Sequence, residues 1–341
     1  MKRLASILLF GFLTTAAHAQ QAPAPTGLVV GSGNFFSPIV RDLDKAVAFY
    51  RDGLGLETQG EPGNADKNEN LRRMFGLPEA KIRWMIARPA GMRSGVEIVE
   101  ISGVGGKPLV RRPQDSGAYT LIAFVRDMDG TLARLKAQGT RIVSASGAPV
   151  SLPLGAGQNG RMITVADPDG HFVEIVQPDK VPETAGASNV YDVRVRLAVQ
   201  DVEKAAHLYH DELGLELVNQ STFTDNPTVA GALGVPGAQF RFAMLKVPTT
   251  GLVFEVIDYK GIDRKVVRGD LKDPGSTRIQ MQVRDIDAAV AALTKAGGAF
   301  VSTGGKPLEL PAGNNVLKVG IVREPDNLFV VLIQSPPPAA K

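Results

Sequence analysis

Side chains that could support imidazole or thiol chemistry are scarce in this chain of 341 residues. The chain contains no Cys, which excludes disulfides, thiolate metal sites and a Cys nucleophile. His171 lies in a DPDGH turn, and His207 and His210 lie three residues apart on a predicted helix. Turn, capping or helix-surface roles suit all three, so carboxylates and guanidinium groups are left as the main candidates for chemistry.

Motifs of the common hydrolases and nucleotide-binding proteins are absent from the sequence. There is no G-x-S-x-G or H-E-x-x-H pattern. The Gly-containing loops at 152–160 and 310–315 are not followed by a helix that starts with Lys-Ser or Lys-Thr. They therefore predict hairpin connections rather than phosphate-binding loops.

Charge and composition exclude further classes of partner. Lys and Arg number 38 against 35 Asp and Glu, and hydrophobic residues make up 44% of the chain. A surface so close to neutral offers no basic patch for nucleic acid. At roughly 150 residues per domain, the length predicts about two domains. We expect a small-molecule ligand, no nucleic acid, and a monomer or homodimer.

Residues 1–19 have the pattern of a secretory signal peptide. A basic start precedes the apolar run from Leu4 to Leu13, and Ala17–His18–Ala19 resembles a cleavage site. We expect cleavage after Ala19 and a periplasmic or secreted protein; a retained membrane anchor is the alternative. No later stretch is long and apolar enough to span a membrane, so we expect no span after removal of the signal peptide.

The rest of the chain is an internal repeat. DLDKAVAFYRDGLGLE at 42–57 recurs as DVEKAAHLYHDELGLE at 201–216, and ADPDGHFVEIVQ at 166–177 matches REPDNLFVVLIQ at 323–334. The repeat predicts two similar domains at 27–178 and 190–335, joined by a linker at 179–189 and followed by a Pro-rich tail at 336–341.

Each half contains two copies of a smaller unit. A strand ending in Val-x-Asp is followed by an amphipathic helix, and the Asp lies where a helix N-cap belongs. The four predicted caps are Asp42, Asp127, Asp201 and Asp285. Short strands separated by turns follow each helix, so the chain predicts an α+β fold of four strand–helix–three-strand (βαβββ) modules.

These features resemble the vicinal oxygen chelate (VOC) superfamily, which includes glyoxalase I, extradiol dioxygenases and bleomycin-resistance proteins. The resemblance rests on the four Val-x-Asp helix starts, the FYRDGLGLE and LYHDELGLE helix ends, and DPDGHFVEI. It implies that βαβββ modules pair into two VOC-type half-barrel domains, with one cupped site for each pair. Fold alone does not assign function, because the superfamily contains lyases, isomerases, oxygenases and binding proteins.

The resemblance also indicates where metal ligands would lie. Metal-dependent relatives carry His or Gln seven residues before the capping Asp and Glu on each closing strand. The corresponding first-strand residues here are Phe35, Thr120, Arg194 and Arg278. The closing-strand residues are Glu97, Glu174, Glu255 and Val331. No pair of modules supplies three metal-ligating side chains, so we predict no cofactor.

Strand alternation then predicts the lining of each cup, because residues two apart point to one face. If adjacent modules pair, the first cup is largely apolar and contains Phe35, Ser37, Ile39, Glu97, Thr120, Ile122, Phe124, Phe172 and Glu174. The second cup is polar and contains Arg194, Arg196, Glu255, Arg278, Gln280 and Gln282.

Two carboxyl groups in an apolar cup raise each other's proton affinity, which can create a general base without a metal. The favoured hypothesis is therefore an enzyme of isomerase or lyase type that acts on an apolar or aromatic molecule with Glu97 and Glu174 as acid and base. Alternatives are a non-catalytic binding or resistance protein, and a metalloenzyme with an atypical site. Glu97 and Glu174 could also be remnants of the family pattern that are bonded to Ser37, Thr120 or Arg83. A weak divalent-metal site at Glu97 and Glu174, completed by water, also stays open.

The second cup has two interpretations. Arg194 and Arg278 could bind an anionic ligand, or Glu255 could neutralise them within a purely structural barrel. Both assignments assume that adjacent modules pair. Pairing of the first module with the fourth and of the second with the third would combine Glu174 and Glu255 with Arg194 and Thr120.

Overall fold

The fold, a computed structural model, is described for residues 27–155, 157–313 and 315–336. The predicted signal peptide lies outside these residues. Within them, no helix is long and apolar enough to cross a membrane.

The first two modules contain eleven strands and three helices. The first module comprises β1 (Val29–Ser32), β2 (Ser37–Val40), α1 (Leu43–Ala48), β3 (Glu57–Thr58), β4 (Gly63–Asn64), α2 (Glu69–Met74), β5 (Lys81–Arg88) and β6 (Val96–Ser102). The second comprises β7 (Tyr119–Val125), α3 (Met128–Ala137), β8 (Arg141–Ile142), β9 (Val150–Gly155), β10 (Gln158–Ala166) and β11 (Phe172–Pro178).

The last two modules repeat this order. The third comprises β12 (Val190–Ala198), α4 (Val202–Ala206), β13 (Glu216–Gln220), α5 (Pro227–Ala232), β14 (Gln239–Lys246) and β15 (Val253–Lys260). The fourth comprises β16 (Thr277–Val283), α6 (Ile286–Lys295), β17 (Ala299–Phe300), β18 (Leu308–Ala312), β19 (Asn315–Arg323) and β20 (Phe329–Gln334).

The predicted helix starts are confirmed. Each of the four Asp side chains accepts a hydrogen bond from a backbone N–H in the first turn of its helix, which satisfies a donor that has no partner within the helix. Helices α1 and α4 continue into π-helical turns at Phe49–Gly53 and His207–Glu212. Gly55 and Gly214 follow with φ of 89° and 84°, a conformation that only Gly adopts without strain.

The strands form two mixed sheets, which do not correspond to the two halves of the sequence. One sheet has the order β17-β19-β20-β16-β2-β6-β5-β3, with β1, β4 and β18 attached, and combines the first module with the fourth. The other has the order β13-β14-β15-β12-β7-β11-β10-β8, with β9 attached, and combines the second with the third. We call their concave sides the outer cup and the inner cup, because the second pair of modules is nested within the first in sequence.

Strand alternation separates the interior into three apolar clusters. The central cluster fills the space among the helices and the convex faces of both sheets, and each cup contains a cluster of its own. On β7, Leu121 and Ala123 belong to the central cluster, whereas Ile122 and Phe124 belong to the inner cup. The α+β fold of four modules that pair into two half-barrels is thereby confirmed.

Candidate functional site

The sheet order separates the two carboxylates that the sequence analysis placed together. Glu97 lies on β6, which pairs with β2, whereas Glu174 lies on β11, which pairs with β7. Strand β7 pairs with β12 along seven residues, and β2 pairs instead with β16. The predicted acid–base pair of Glu97 and Glu174 is therefore wrong, and so is a shared metal site, because the two residues occupy different cups.

The other predicted lining residues divide in the same way. Those in or at the rim of the outer cup are Ser37, Ile39, Glu97, Arg278, Gln280 and Gln282. Those in the inner cup are Thr120, Ile122, Phe124, Phe172, Glu174, Arg194, Arg196 and Glu255. Phe35 belongs to neither cup and packs in the central cluster, because residues 33–36 bend between β1 and β2 and break the alternation.

The inner cup is centred on one buried guanidinium. Arg196 Nη1 donates to Glu174 Oε2 at 2.5 Å, and Arg196 Nε donates to Glu255 Oε1. All three side chains are almost fully inaccessible to solvent. Arg194 lies beside them, with its guanidinium carbon 4.7 Å from the centre of the Phe124 ring. A charge-compensated arrangement of this kind is what a low-dielectric interior requires of ionised groups.

Burial and pairing act in opposite directions on these groups. Burial raises the pKa of Glu174, and the neighbouring Arg196 only partly offsets this effect. Burial also favours the neutral form of Arg196, but Glu174 and Glu255 outweigh it and raise the pKa of Arg196 above its ordinary value. Glu174 Oε1 is buried and has no hydrogen-bond partner among the described residues.

The remaining space in the inner cup is too small for an organic ligand. Side chains from both modules, including Leu154, Phe240 and Phe242, fill it and are buried. The space left beside Glu174 has a volume of about 10 Å³. That is room for about one water molecule. The inner cup is therefore a packed core with an internal ion network.

The outer cup carries a single carboxylate held by three donors. Glu97 Oε2 accepts hydrogen bonds from Arg278 Nη2 at 2.8 Å, from Gln280 Nε2 at 2.9 Å and from Ser37 Oγ at 3.4 Å. Arg278 is 1% exposed and lies 4.5 Å from the centre of the Phe75 ring. The Glu97 side chain is 16% exposed, and Oε1 makes no hydrogen bond to any residue that the structure describes. Glu97 thus keeps one oxygen for an external donor.

The walls of the outer cup are apolar and incompletely closed. Trp84, the only Trp of the chain, packs against the outer-cup cluster but is only partly buried, as is Ile333. Their equivalents in the repeat, Phe242 and Val176, are buried in the inner cup. The outer cup is therefore less completely closed at these two positions than the inner cup.

Neither cup has donors that suit a divalent metal. Of the four family positions in the first and fourth modules, Phe35 lies in the central cluster, and Glu97, Arg278 and Val331 supply only one anionic ligand. In the inner cup, Arg196 already occupies the space and supplies the charge between the two carboxylates. No group of three or more His, Asp or Glu side chains able to hold a metal occurs in the described part of the chain. The donor set does not fit the metal of the family.

The three described His residues lie outside both cups. His171 is buried, with Nδ1 2.9 Å from Asp167 Oδ2 and Nε2 3.0 Å from the carbonyl oxygen of Ser276. The Tyr50 hydroxyl donates a hydrogen bond to the same oxygen of Asp167, Oδ2. His207 and His210 are on the exposed π-helical turn that follows α4. These positions agree with the turn and helix-surface roles predicted for them.

Sequence reasoning missed Trp84 and Phe75 as parts of the outer cup. Trp84 aligns with Phe242 of the second half. The difference in size between these two aromatic residues was the sequence signal that could have pointed to Trp84. It also assigned Glu97 and Arg278 to different cups, although they form an ion pair.

Comparisons with known proteins agree with this architecture. The sequence profile of the Glyoxalase/Bleomycin resistance protein/Dioxygenase superfamily matches residues 34–175 and 193–309. The fold is similar to that of glyoxalase I from Zea mays, with a TM-score of 0.56 and 20% identity over 88% of this chain and 92% of that one. It is also similar to a candidate dioxygenase from Bacillus subtilis, with a TM-score of 0.52 and 15% identity over 91% and 87% of the two chains. No curated protein sequence matches the chain.

Proposed function

Because the chain belongs to the Glyoxalase/Bleomycin resistance protein/Dioxygenase superfamily, we propose that it binds a small organic molecule in a cup, here the outer cup, without a metal. The molecule is largely apolar and carries one O–H or N–H group, which donates to Glu97. The export proposed from residues 1–19 rests on the sequence pattern alone, and N-terminal sequencing of the mature protein tests it.

One observation carries this proposal: Glu97 offers a hydrogen-bonding oxygen in a cup whose other walls, apart from the donors that hold Glu97, are lined by an apolar cluster. Its other oxygen is already bound by Arg278, Gln280 and Ser37, so the orientation of the carboxylate is fixed before a ligand arrives. Apolar walls with a few fixed polar groups are typical of small-molecule sites. A ligand that lacks a donor would leave the carboxylate less well solvated, and the cup should discriminate against it.

Calorimetric titration with 2-naphthol and with its methyl ether tests the proposal. The two probes have the same apolar body, but only 2-naphthol can donate to Glu97. We expect 2-naphthol to bind at least about tenfold more tightly, the effect of one hydrogen bond to a charged group. Trp84→Ala should weaken both probes, because it removes apolar wall from the cup.

Glu97→Gln supplies the decisive comparison. It keeps the size of the side chain but presents an amide, and the preference for 2-naphthol over the ether should fall to about threefold or less. Glu57→Gln, on the exposed edge strand β3 of the same sheet, is the matched control and should keep the preference. Equal binding of the two probes by the unaltered protein would refute a donor-recognising site at Glu97.

A second candidate is metal-independent proton transfer of the isomerase or lyase type, with Glu97 alone as the base. The free Oε1 favours it, because this atom could accept a proton from a bound molecule. Deuterium incorporation into a bound ketone in D₂O, followed by NMR, separates the two functions. If the protein is a catalyst, it should accelerate deuterium incorporation into the ketone, and Glu97→Gln should abolish this acceleration. If it only binds the molecule, deuterium should enter the ketone no faster than in D₂O alone.

A further inference from the structure

Two clefts of similar size lie on the helical side of the fold, away from both cups. One has a volume of about 650 Å³ and lies between α1 of the first module and residues 138–141 and 166–170 of the second. The other, about 690 Å³, lies between α4 and the corresponding part of the fourth module. We call them the first and second cleft. We propose that the first cleft binds an organic anion, meaning a carboxylate or phosphate with an apolar body.

Cationic side chains dominate the first cleft. Its positively charged lining residues are Arg41, Lys45, Arg111 and Arg141. Its two acidic lining residues already have partners within the protein. Asp169, with a side chain 4% exposed, accepts from the backbone and Nε of Arg41, and Asp167 is bound by His171 and Tyr50. Asp169 thus compensates Arg41 within the cleft, and an anion meets the positive charge of the three remaining cations, Lys45, Arg111 and Arg141.

Three of the cations have weak internal compensation. Arg141 is exposed and makes no ion pair with any residue that the structure describes. Arg111 donates to two backbone carbonyls, those of Gly275 and Val267, and these oxygens carry no net charge. Lys45 has only a 3.5 Å contact to Asp42, and both side chains are well exposed. Such an exposed pair contributes little, so Lys45 can reorient towards a ligand.

The cleft also has an apolar wall. Phe49, Pro108, Leu109 and Val110 line it, and Val110 is 84% exposed. Exposed apolar surface beside a cationic patch suits a ligand with both an anionic head and an apolar body. A cleft of this volume lies within the usual range of about 300–1,000 Å³ for small-molecule sites.

The second cleft provides an internal control of the opposite charge. Its carboxyl-bearing residues are Asp201, Glu203, Glu212, Glu324 and Asp326. Lys204 aligns with Lys45 in the repeat and lines the second cleft in the corresponding place. Arg41 and Arg141, by contrast, align with Gln200 and Ala299. The positive excess is therefore specific to the first cleft.

Calorimetric titration with 1-naphthoate, and separately with inorganic phosphate, tests the inference. We expect saturable binding of 1-naphthoate, weakened about fivefold to tenfold by Arg141→Gln or Lys45→Gln. Val110→Ser should weaken it by about threefold, through loss of apolar contact. The matched variants Lys204→Gln and Lys295→Gln, in the second cleft, should bind 1-naphthoate as the unaltered protein does.

Three results would overturn the inference: no saturable binding at millimolar 1-naphthoate, unchanged affinity in both first-cleft variants, or equal weakening by the second-cleft variants. If inorganic phosphate bound more tightly than 1-naphthoate, the proposal that the ligand has an apolar body would be refuted. Saturating 2-naphthol should not compete with 1-naphthoate, because the outer cup is a separate site. The Arg141→Gln variant should still bind 2-naphthol. Loss of 1-naphthoate binding at the first cleft can therefore be distinguished from loss of binding at the outer cup.

Discussion

Replacing the cation that bridges the two carboxylates of the inner cup, as in Arg196→Met, should destabilise the fold by about 3–5 kcal/mol, the usual effect of breaking a buried ion pair. Met has an unbranched side chain and fills much of the space of the Arg stem, so the main change is the loss of charge. Glu174 is 0% exposed and Glu255 is 5% exposed, and both would be left in the core without their main counter-charge.

The dependence on pH follows from the same geometry. Burial raises the pKa of Glu174, and loss of the opposing Arg196 should raise it further above its unfolded value, so the folded protein holds this proton more tightly than the unfolded chain. Stability then falls as pH rises through that interval. The loss caused by Arg196→Met should therefore be larger at pH 8 than at pH 5.

Urea unfolding followed by far-ultraviolet circular dichroism measures the effect. Arg161→Met is the matched control, because Arg161, on strand β10 of the same sheet, pairs with Asp129 of α3, whose side chain is 72% exposed. It should lose no more than about 1 kcal/mol. Combining Arg196→Met with Glu174→Gln and Glu255→Gln should recover about 2 kcal/mol or more, because the two carboxylates that lost their counter-charge are then neutral amides.

The reasoning fails if Arg196→Met loses less than about 1 kcal/mol, because a buried ion network cannot lose its cation so easily. It fails as well if the triple variant is no more stable than Arg196→Met. That result would mean that the Arg196 stem, rather than its charge, stabilises the cup.

Two further perturbations test buried polar groups, and the first uses the repeat as its own control. Tyr50→Phe removes a 3.0 Å bond to the buried Asp167 and should lower the free energy of unfolding by about 1–3 kcal/mol, whereas Tyr209→Phe should be neutral, because the Tyr209 hydroxyl has no partner among the described residues. Equal losses in urea unfolding would contradict this difference. Burial, reinforced by Asp326, raises the pKa of Glu324 to about 8, so the folded state holds this proton more tightly and stability should fall between about pH 5 and pH 8, by about 5 kcal/mol at most. Glu324→Gln should flatten that profile, and an unchanged slope would show that Glu324 does not titrate in this interval.

Local features of the fold were predictable because short-range physical chemistry determines them. An Asp just before an apolar periodicity satisfies free N–H groups whichever modules pair, so all four helix starts could be read from the sequence. Alternation likewise placed Thr120, Ile122 and Phe124 in a cup. It failed at Phe35, where a bend between β1 and β2 changes the face without an obvious sequence signal.

Module pairing could not be predicted, because the repeat makes the first strands of the modules similar, and β7 and β12 are buried on both faces. Either pairing buries the same residues, and the choice depends on backbone contacts between strands far apart in sequence. That choice decides which charges meet. It brings Arg278 to Glu97 and Arg196 to Glu174, so the predicted composition of both cups was wrong although the inward-facing residues were mostly correct.

The nesting of one module pair within the other gives the two cups unequal loop-closure entropies. The inner cup joins residues 22 apart, Glu174 and Arg196, whereas the outer cup joins Glu97 and Arg278 across 181 residues. For an unfolded chain, this difference amounts to about 2 kcal/mol. A molecule bound at Glu97 would lie beside the ion pair that joins the first module to the fourth. A ligand that fills the outer cup should consequently raise the free energy of unfolding of the protein.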